Sequence, residues 1–356
     1  RKGLYGALFI ATALNLLTVG CSIERAVPTI APTSIVPIIP WLSLNVSPTV
    51  STNLPVATVT PLIMPTRGSD GQVTSNASSQ VTAEYVEPPD RDLLTLSERL
   101  GPAFPDATDQ SLVIVDGEPN LGETASFWIN YATEPKSRTA SATLYGISEH
   151  AYWYFEEGIK VSQSVLEEVI MTFEQQILPE VSGVLGGMWN NKGSSDSRLT
   201  FLHARIPGAA GYYYAIDQYP TAVHPLSNQQ TMIYLSSETL LLGSQAYLAT
   251  LTHELQHAIH WAQDPSEETW VNEGLSEVAK KIAGYPLTFV SSFEDHHSVS
   301  LIDWPADNSS PLPNYGASSL FMEYLAQRFG GHSTLKLLLQ SKEDGINGVI
   351  EYLWSL

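Results

Sequence analysis

The chain has 356 residues, 43% of them hydrophobic and 15% charged, which is enough apolar sequence for one large domain or two lobes and argues against a wholly disordered chain. Lys+Arg 17 against Asp+Glu 37 gives a formal net charge of −20, which argues against nucleic acid and against a polybasic membrane patch, since both need clustered cations. A single Cys cannot form an internal disulfide or a Cys-rich metal site, so any metal falls to His, Asp or Glu.

Residues 1–20, RKGLYGALFIATALNLLTVG, place two cations before an apolar run that ends beside Cys21, the pattern of an export signal. The run is shorter than the roughly 20 residues of a membrane span and contains Asn15, which makes a transmembrane anchor the weaker alternative. A lone cysteine at the cleavage point resembles a bacterial lipoprotein signal, in which the thiol is lipidated and becomes the new N-terminus. The expected address is therefore extracytoplasmic, a cell-surface or periplasmic lipoprotein anchored to a bacterial membrane through Cys21; an ordinary cleaved signal would give a secreted protein. Residues 21–90 are rich in Pro, Ser, Thr and Val and lack helical periodicity, so they read as an extended tether. Apolar residues within it, such as Ile38 and Trp41, leave open a segment docked on the folded part.

Short alternating runs from 91 to 158 (SLVIV, ASFWINYA, ASATLYGI, AYWYF) predict a small β-rich lobe. The period then changes to helical: Ser164 and Glu167 have capping-box spacing, and Leu166, Val169, Ile170, Phe173 and Ile177 make an apolar face that stops at Pro179. RLTFLHARI, GYYYAIDQY and TMIYL (231–235) read as strands, the last a candidate edge for an extended peptide.

The informative stretch is LTHELQHAIHWAQDPSEETWVNEGLSEVAKKIAGY. His253, Glu254 and His257 form HExxH. Residues four apart on a helix lie one turn above each other, so both imidazoles reach one metal ion with Glu254 beside it. Leu248, Leu251, Leu255, Ile259 and Ala262 supply a separate apolar face, and Pro265 ends the element. The bland alternative is two histidines that happen to flank a glutamate. Catalytic zinc needs three protein ligands and an open position, so a third is required. The extension HExxHxxGxxH fails, because His260 and Gln263 stand where Gly and His are needed. Sixteen positions after His257 comes Glu273, on a second predicted helix whose stripe is Val271, Leu275, Val278 and Ile282. Glu273 and Glu277 share the other face, where Glu273 can bind zinc and Glu277 can hold the free N–H of a ligating histidine. A solvated acidic face would show the same pattern, although Trp270 and Gly274 beside the carboxylates are unusual for one.

HELQH followed by NEGLSE resembles the gluzincin clan of zinc metallopeptidases, most nearly its hyicolysin-like secreted members, with more distant similarity to thermolysin and the one-zinc aminopeptidases. The resemblance is strong over 253–277 and implies Zn2+ as cofactor, Glu273 as third ligand and Glu277 as support for a zinc-bound histidine. It implies an α+β, zincin-like, two-lobed fold. Residues 159–264 would form a mixed sheet with the active-site helix, and 265–356 a mostly helical lobe carrying the third ligand. GGMWN at 186–190 has Trp189 where the aminopeptidase GxMEN signature has glutamate, and it reads as a turn. An endopeptidase is therefore preferred to an aminopeptidase.

Tyr315, in PNYGASS, stands where a YxKGA tyrosine of the aminopeptidases stabilises the oxyanion; packing at a helix start is the plainer role. His296 and His297 are rival donors unless they sit in an exposed loop, while His203 and His224 read as structural. The expected activity is hydrolysis of peptide bonds in a peptide or protein, with zinc lowering the pKa of its bound water to about 7 and Glu254 as general base. Two alternatives stay open: an aminopeptidase-like or other zinc hydrolase, and a non-catalytic surface binding lipoprotein on a zincin scaffold.

Overall fold

Alternation of large apolar residues builds a sheet that is buried on both faces. In the computed structural model, which describes residues 118–130, 137–189, 196–305 and 310–356, six strands and eight α-helices are formed. All of these residues fall in one unit, Pro37–Leu356. The signal at 1–20 with Cys21, the tether at 21–90 and the SLVIV run lie outside the described residues. No helix among the described residues is long and apolar enough to cross a membrane.

The strands are β1 (Thr124–Asn130), β2 (Ser137–Ile147), β3 (Ala151–Glu156), β4 (Leu199–Ala204), β5 (Gly211–Tyr213) and β6 (Met232–Ser236). They pair in the order β1-β2-β3-β4-β6-β5. β1, β2 and β3 form an antiparallel meander, β3, β4 and β6 run parallel, and β5 closes the sheet antiparallel to β6. This mixed sheet with flanking helices makes the fold α+β.

The separate β-rich lobe expected up to residue 158 is not formed: β3 pairs with β4 across that boundary, so both sets of strands share one sheet. Strand pairing is non-local, and alternation within a strand carries no sign of its partner. Nor is 264/265 a boundary between two lobes, since Leu251 and Leu255 before it share one core with Val271, Leu275, Leu325 and Leu339 after it. TMIYL is internal, leaving three-residue β5 as the margin on that side.

Trp153, Phe155, Phe201, Ile233 and Leu235 face the helices, while Tyr152, Tyr154, Leu202 and Tyr234 point into a second apolar layer with Phe127, Ala142 and Leu144. The sheet curls around that second layer. Tyr234 of β6 reaches the carbonyl of Trp128 on β1 (3.3 Å), and its hydroxyl donates to Asp217 Oδ2 (2.6 Å). The Asn228 side chain accepts from Trp128 N–H (2.8 Å) and donates to Trp128 C=O (2.9 Å), closing the outer margin of β1 at that residue.

The β3–β4 crossover is helical but does not stop at Pro179. Helix α1 (Gln163–Thr172) passes through a π turn (Phe173–Ile177) into α2 (Leu178–Leu185). The wider turn loosens the ladder ahead of the proline ring, which then sits in the first turn of α2, where its missing N–H costs nothing. The N-cap of α1 is Ser162, so Ser164 lies inside the helix and no capping box forms. The remaining helices are α3 (Gln245–Gln263), α4 (Thr269–Ile282), α5 (Val290–Asp295), α6 (Leu312–Arg328), α7 (Lys336–Leu339) and α8 (Gly345–Ser355).

Helices α4 and α6 pack closely where Gly274 lies. A Cβ there would stand 2.8 Å from Met322 Cγ and 2.9 Å from the Ser318 carbonyl oxygen, so only glycine allows the approach.

Candidate metal centre

Helix α3 is started and fastened by side chains of its own first turn. Ser244 Oγ accepts from the Tyr247 amide (3.2 Å), and Tyr247 donates its hydroxyl to His203 Nε2 on β4 (2.8 Å). His203 Nδ1–H in turn donates to the Tyr154 carbonyl (2.9 Å), and the ring stacks on Phe155. Burial holds its pKa down to about 4, so this histidine is a neutral strut between sheet and helix, in keeping with the structural reading.

Beyond that anchor α3 is buried on both faces. Leu251, Leu255 and Ile259 enter the core, His253 and His257 face α4, and the buried Glu254 carboxylate is hydrogen-bonded by the backbone of Tyr213 on β5. The five-residue connection 264–268 lets α4 return beside α3 and brings Glu273 and Glu277 against the histidines. Glu273 is 1% and Glu277 0% exposed, which removes the solvated acidic face as an explanation.

One ligand atom from each of His253, His257 and Glu273 lies within 4.8 Å of the other two. Glu273 Oε2 stands 3.1 Å from His253 Nε2 and 3.5 Å from His257 Nε2. The other ring nitrogens are committed elsewhere: His253 Nδ1–H donates to Glu277 Oε1 (3.2 Å) and His257 Nδ1–H to Asn272 Oδ1 (3.0 Å). Both Nε2 atoms therefore face one point shared with a carboxylate. Two imidazoles and a carboxylate, the rings fixed by acceptors behind them, are a donor set that fits zinc.

Glu277 is itself held by Lys280 Nζ (2.5 Å) and by the Thr288 amide (3.0 Å) and hydroxyl (2.9 Å). Burial pushes its pKa up, but Lys280 and His253 outweigh burial and bring it down to about 2. Glu273 follows the same course: burial raises it, and the two histidines bring it down to about 2. Burial lowers His253, and hydrogen bonding to Glu273 and Glu277 overcomes this and lifts it to about 9 in the metal-free protein. Glu254 goes the other way, raised above the ordinary carboxylate range chiefly by burial.

No protein-family model matches the chain, and no curated protein matches it. Among solved structures it is similar to yeast LTA4 hydrolase in complex with bestatin, at 14% identity and a TM-score of 0.42 over 61% of this chain and 36% of that one. It is also similar to native yeast LTA4 hydrolase, at 12% identity and a TM-score of 0.39 over 65% of this chain and 43% of that one. The chain thus spans less than half the length of either. At this degree of likeness the functional reading rests on the residues of the site.

Tyr315 joins the group. It lies in the first turn of α6, is fully buried, and its ring centroid is 6.2 Å from that of His253. Its hydroxyl interacts with Glu273 but has no hydrogen-bonding partner of good geometry among the described residues. Burial, followed by the charges of Glu273, Glu254 and Glu277, holds its pKa well above the usual value, so the hydroxyl keeps its proton. Phe289 packs against the same ring (centroids 5.4 Å) from a left-handed backbone position, φ 47°. His296 and His297 are exposed at the end of α5, the plainer of their two readings. Trp189 is buried and donates Nε1–H to the Ser197 carbonyl (2.7 Å), and Gly186 ends α2 in the left-handed region, which agrees with the turn reading of GGMWN.

Sequence reasoning missed Asn272, Lys280 and Thr288. Lys280 is three residues after Glu277 on a helix, a spacing that could have marked the pair; Asn272 and Thr288 act through packing that no spacing reveals.

Proposed function

We propose that the protein is a zinc-dependent hydrolase acting on peptide bonds, with endopeptidase action preferred. The observation that carries this reading is the convergence of His253 Nε2, His257 Nε2 and Glu273 Oε2 on one point, with Glu277 and Asn272 behind the rings and Glu254 buried beside them. Bound there, zinc would supply Lewis-acid polarisation of the scissile carbonyl and would acidify a water. Glu254 takes the proton of the attacking water and hands it to the leaving amine; a carboxylate raised by burial holds a transferred proton more readily than an exposed one. Tyr315 donates its buried hydroxyl to the carbonyl oxygen as negative charge develops on it. Glu277 and Asn272 keep each imidazole in the tautomer that presents Nε2.

The substrate backbone lies along β5, whose far side carries no strand among the described residues and whose Tyr213 lines the same small cavity as His257 and Glu273. We extend the reading to an exported protein held at a bacterial membrane through a lipidated Cys21. Its support is the charged start, apolar run and lone cysteine of residues 1–21.

The test is casein digestion by the full chain after zinc loading, with and without 1,10-phenanthroline, and with the products mapped by mass spectrometry. Chelator-sensitive internal cleavage is expected. Stepwise loss of N-terminal residues would make it an aminopeptidase. A zinc-loaded chain that cleaves neither casein nor peptide amides would overturn the peptidase reading.

A further inference from the structure

A second set of donors lies at the far end of α3. His260, one turn beyond His257 and fully buried, has its Nδ1 3.0 Å from the same Asn272 oxygen, to which it donates, and 3.2 Å from the Gln256 side-chain amide, while its Nε2 has no partner among the described residues. Asp264, the residue that ends the helix, uses Oδ1 to accept from the Ser266 amide (3.0 Å) and hydroxyl (2.9 Å), and its buried Oδ2 has no partner. Glu267 accepts with Oε1 from the amides of Glu268 (2.6 Å) and Gly345 (2.8 Å), and its buried Oε2 also has none. Each of the three offers one ligand atom within 4.8 Å of the others.

Buried carboxylate oxygens are costly unless they are hydrogen-bonded, paired or coordinated. Here two of them and an imidazole nitrogen are left over together after every other polar atom of the three side chains has been used. Asp264 and Glu267 also line a cavity of about 20 Å³ that reaches His257, Asn272 and Glu273 of the first site; His260 does not line it, so the second set rests on its three leftover donor atoms.

We propose that His260, Asp264 and Glu267 bind a second divalent metal ion of the zinc class. One imidazole nitrogen among the donors selects a borderline transition ion, because calcium and magnesium take oxygen ligands. The ion ties the end of α3 to the loop that carries α4 and, through Glu267 and Gly345, to the start of α8. It also fixes His260, whose hydrogen bond shares Asn272 with His257, so the orientation of a ligand in the first site is steadied from the second.

The measurement is stoichiometry. The full chain is stripped with chelator, titrated with zinc chloride, and the bound equivalents are counted by elemental analysis after gel filtration. Two equivalents are expected for the unaltered chain, one for Glu267→Gln, one for Glu273→Ala and none for the double variant. A single equivalent that survives Glu267→Gln and disappears in Glu273→Ala overturns the second site. A single equivalent with the reverse pattern upholds it and removes the first site instead. Should Glu267→Gln fail to fold, Glu273→Ala decides alone, because it retains the whole second set and must still bind one equivalent.

Discussion

Glu254 and Glu273 are both buried and are driven in opposite directions, a split that fits the roles proposed for them. Glu273 faces both imidazoles and stays ionised down to about pH 2, as a ligand must, whereas Glu254 is pushed upward by burial, as a proton carrier should be. Glu254→Gln keeps the shape and loses the base. It should bind zinc as the unaltered chain does and show no measurable turnover; a zinc-loaded variant that still cleaves casein would end the general-base assignment. Tyr315→Phe removes one hydroxyl, which interacts with the Glu273 carboxylate, and leaves the ring in place. If that hydroxyl serves the oxyanion, kcat and kcat/KM should fall together by on the order of 10²–10³ with unchanged zinc content. Near-normal kinetics would return the residue to a packing role.

His203 makes a separate test of electrostatics, away from the proposed metal ligands. Its folded pKa of about 4 lies below the ordinary value of 6.5, so the unfolded chain takes up a proton first as the pH falls. The stability it contributes is complete above about pH 6.5 and is lost progressively toward pH 4, on the order of 3 kcal/mol in all. Urea unfolding of the metal-free chain at pH 7 and pH 4.5 should show a shallower loss in His203→Gln; equal losses would mean that the imidazole is not held neutral.

At the scale of elements, the site is a property of two helices and the angle at which a third meets them. Alanine is about 1 kcal/mol better than glycine inside a helix, so Gly274→Ala would stabilise α4 if nothing opposed it. Met322 and the Ser318 carbonyl do oppose it, and overpacking costs about 1–3 kcal/mol. A net loss is expected by calorimetry, with reduced kcat because α6 carries Tyr315. A rise in melting temperature would show that α4 and α6 are not held so close. HExxH was legible because four-residue spacing on a helix is a local fact, and Glu273 was legible because α4 keeps its own apolar stripe. Asn272 was not, since its importance arises from two histidines of α3 that reach it only after the 264–268 turn. The π turn ahead of Pro179 escaped for a related reason: a proline at helical spacing reads as a stop until tertiary packing holds the chain helical on both sides of it.

For the whole molecule, the alternation that marked each strand said nothing of strand order, and so the sheet was read as two pieces and TMIYL as a margin. The true margins differ in kind. On β1, a strand of seven residues with no outer neighbour among the described residues, the Asn228 amide occupies both main-chain groups of Trp128, so a side chain stands in for one rung. β5 has only three residues to offer. Net acidic charge, one capped edge and one very short edge present little template for strand addition by another copy of the chain. Asn228→Ala uncovers that rung, and light scattering of the variant should report concentration-dependent aggregation that the unaltered chain lacks. The same asymmetry would steer an extended polypeptide drawn to this sheet away from β1 and toward β5, whose Tyr213 shares a cavity with His257 and Glu273.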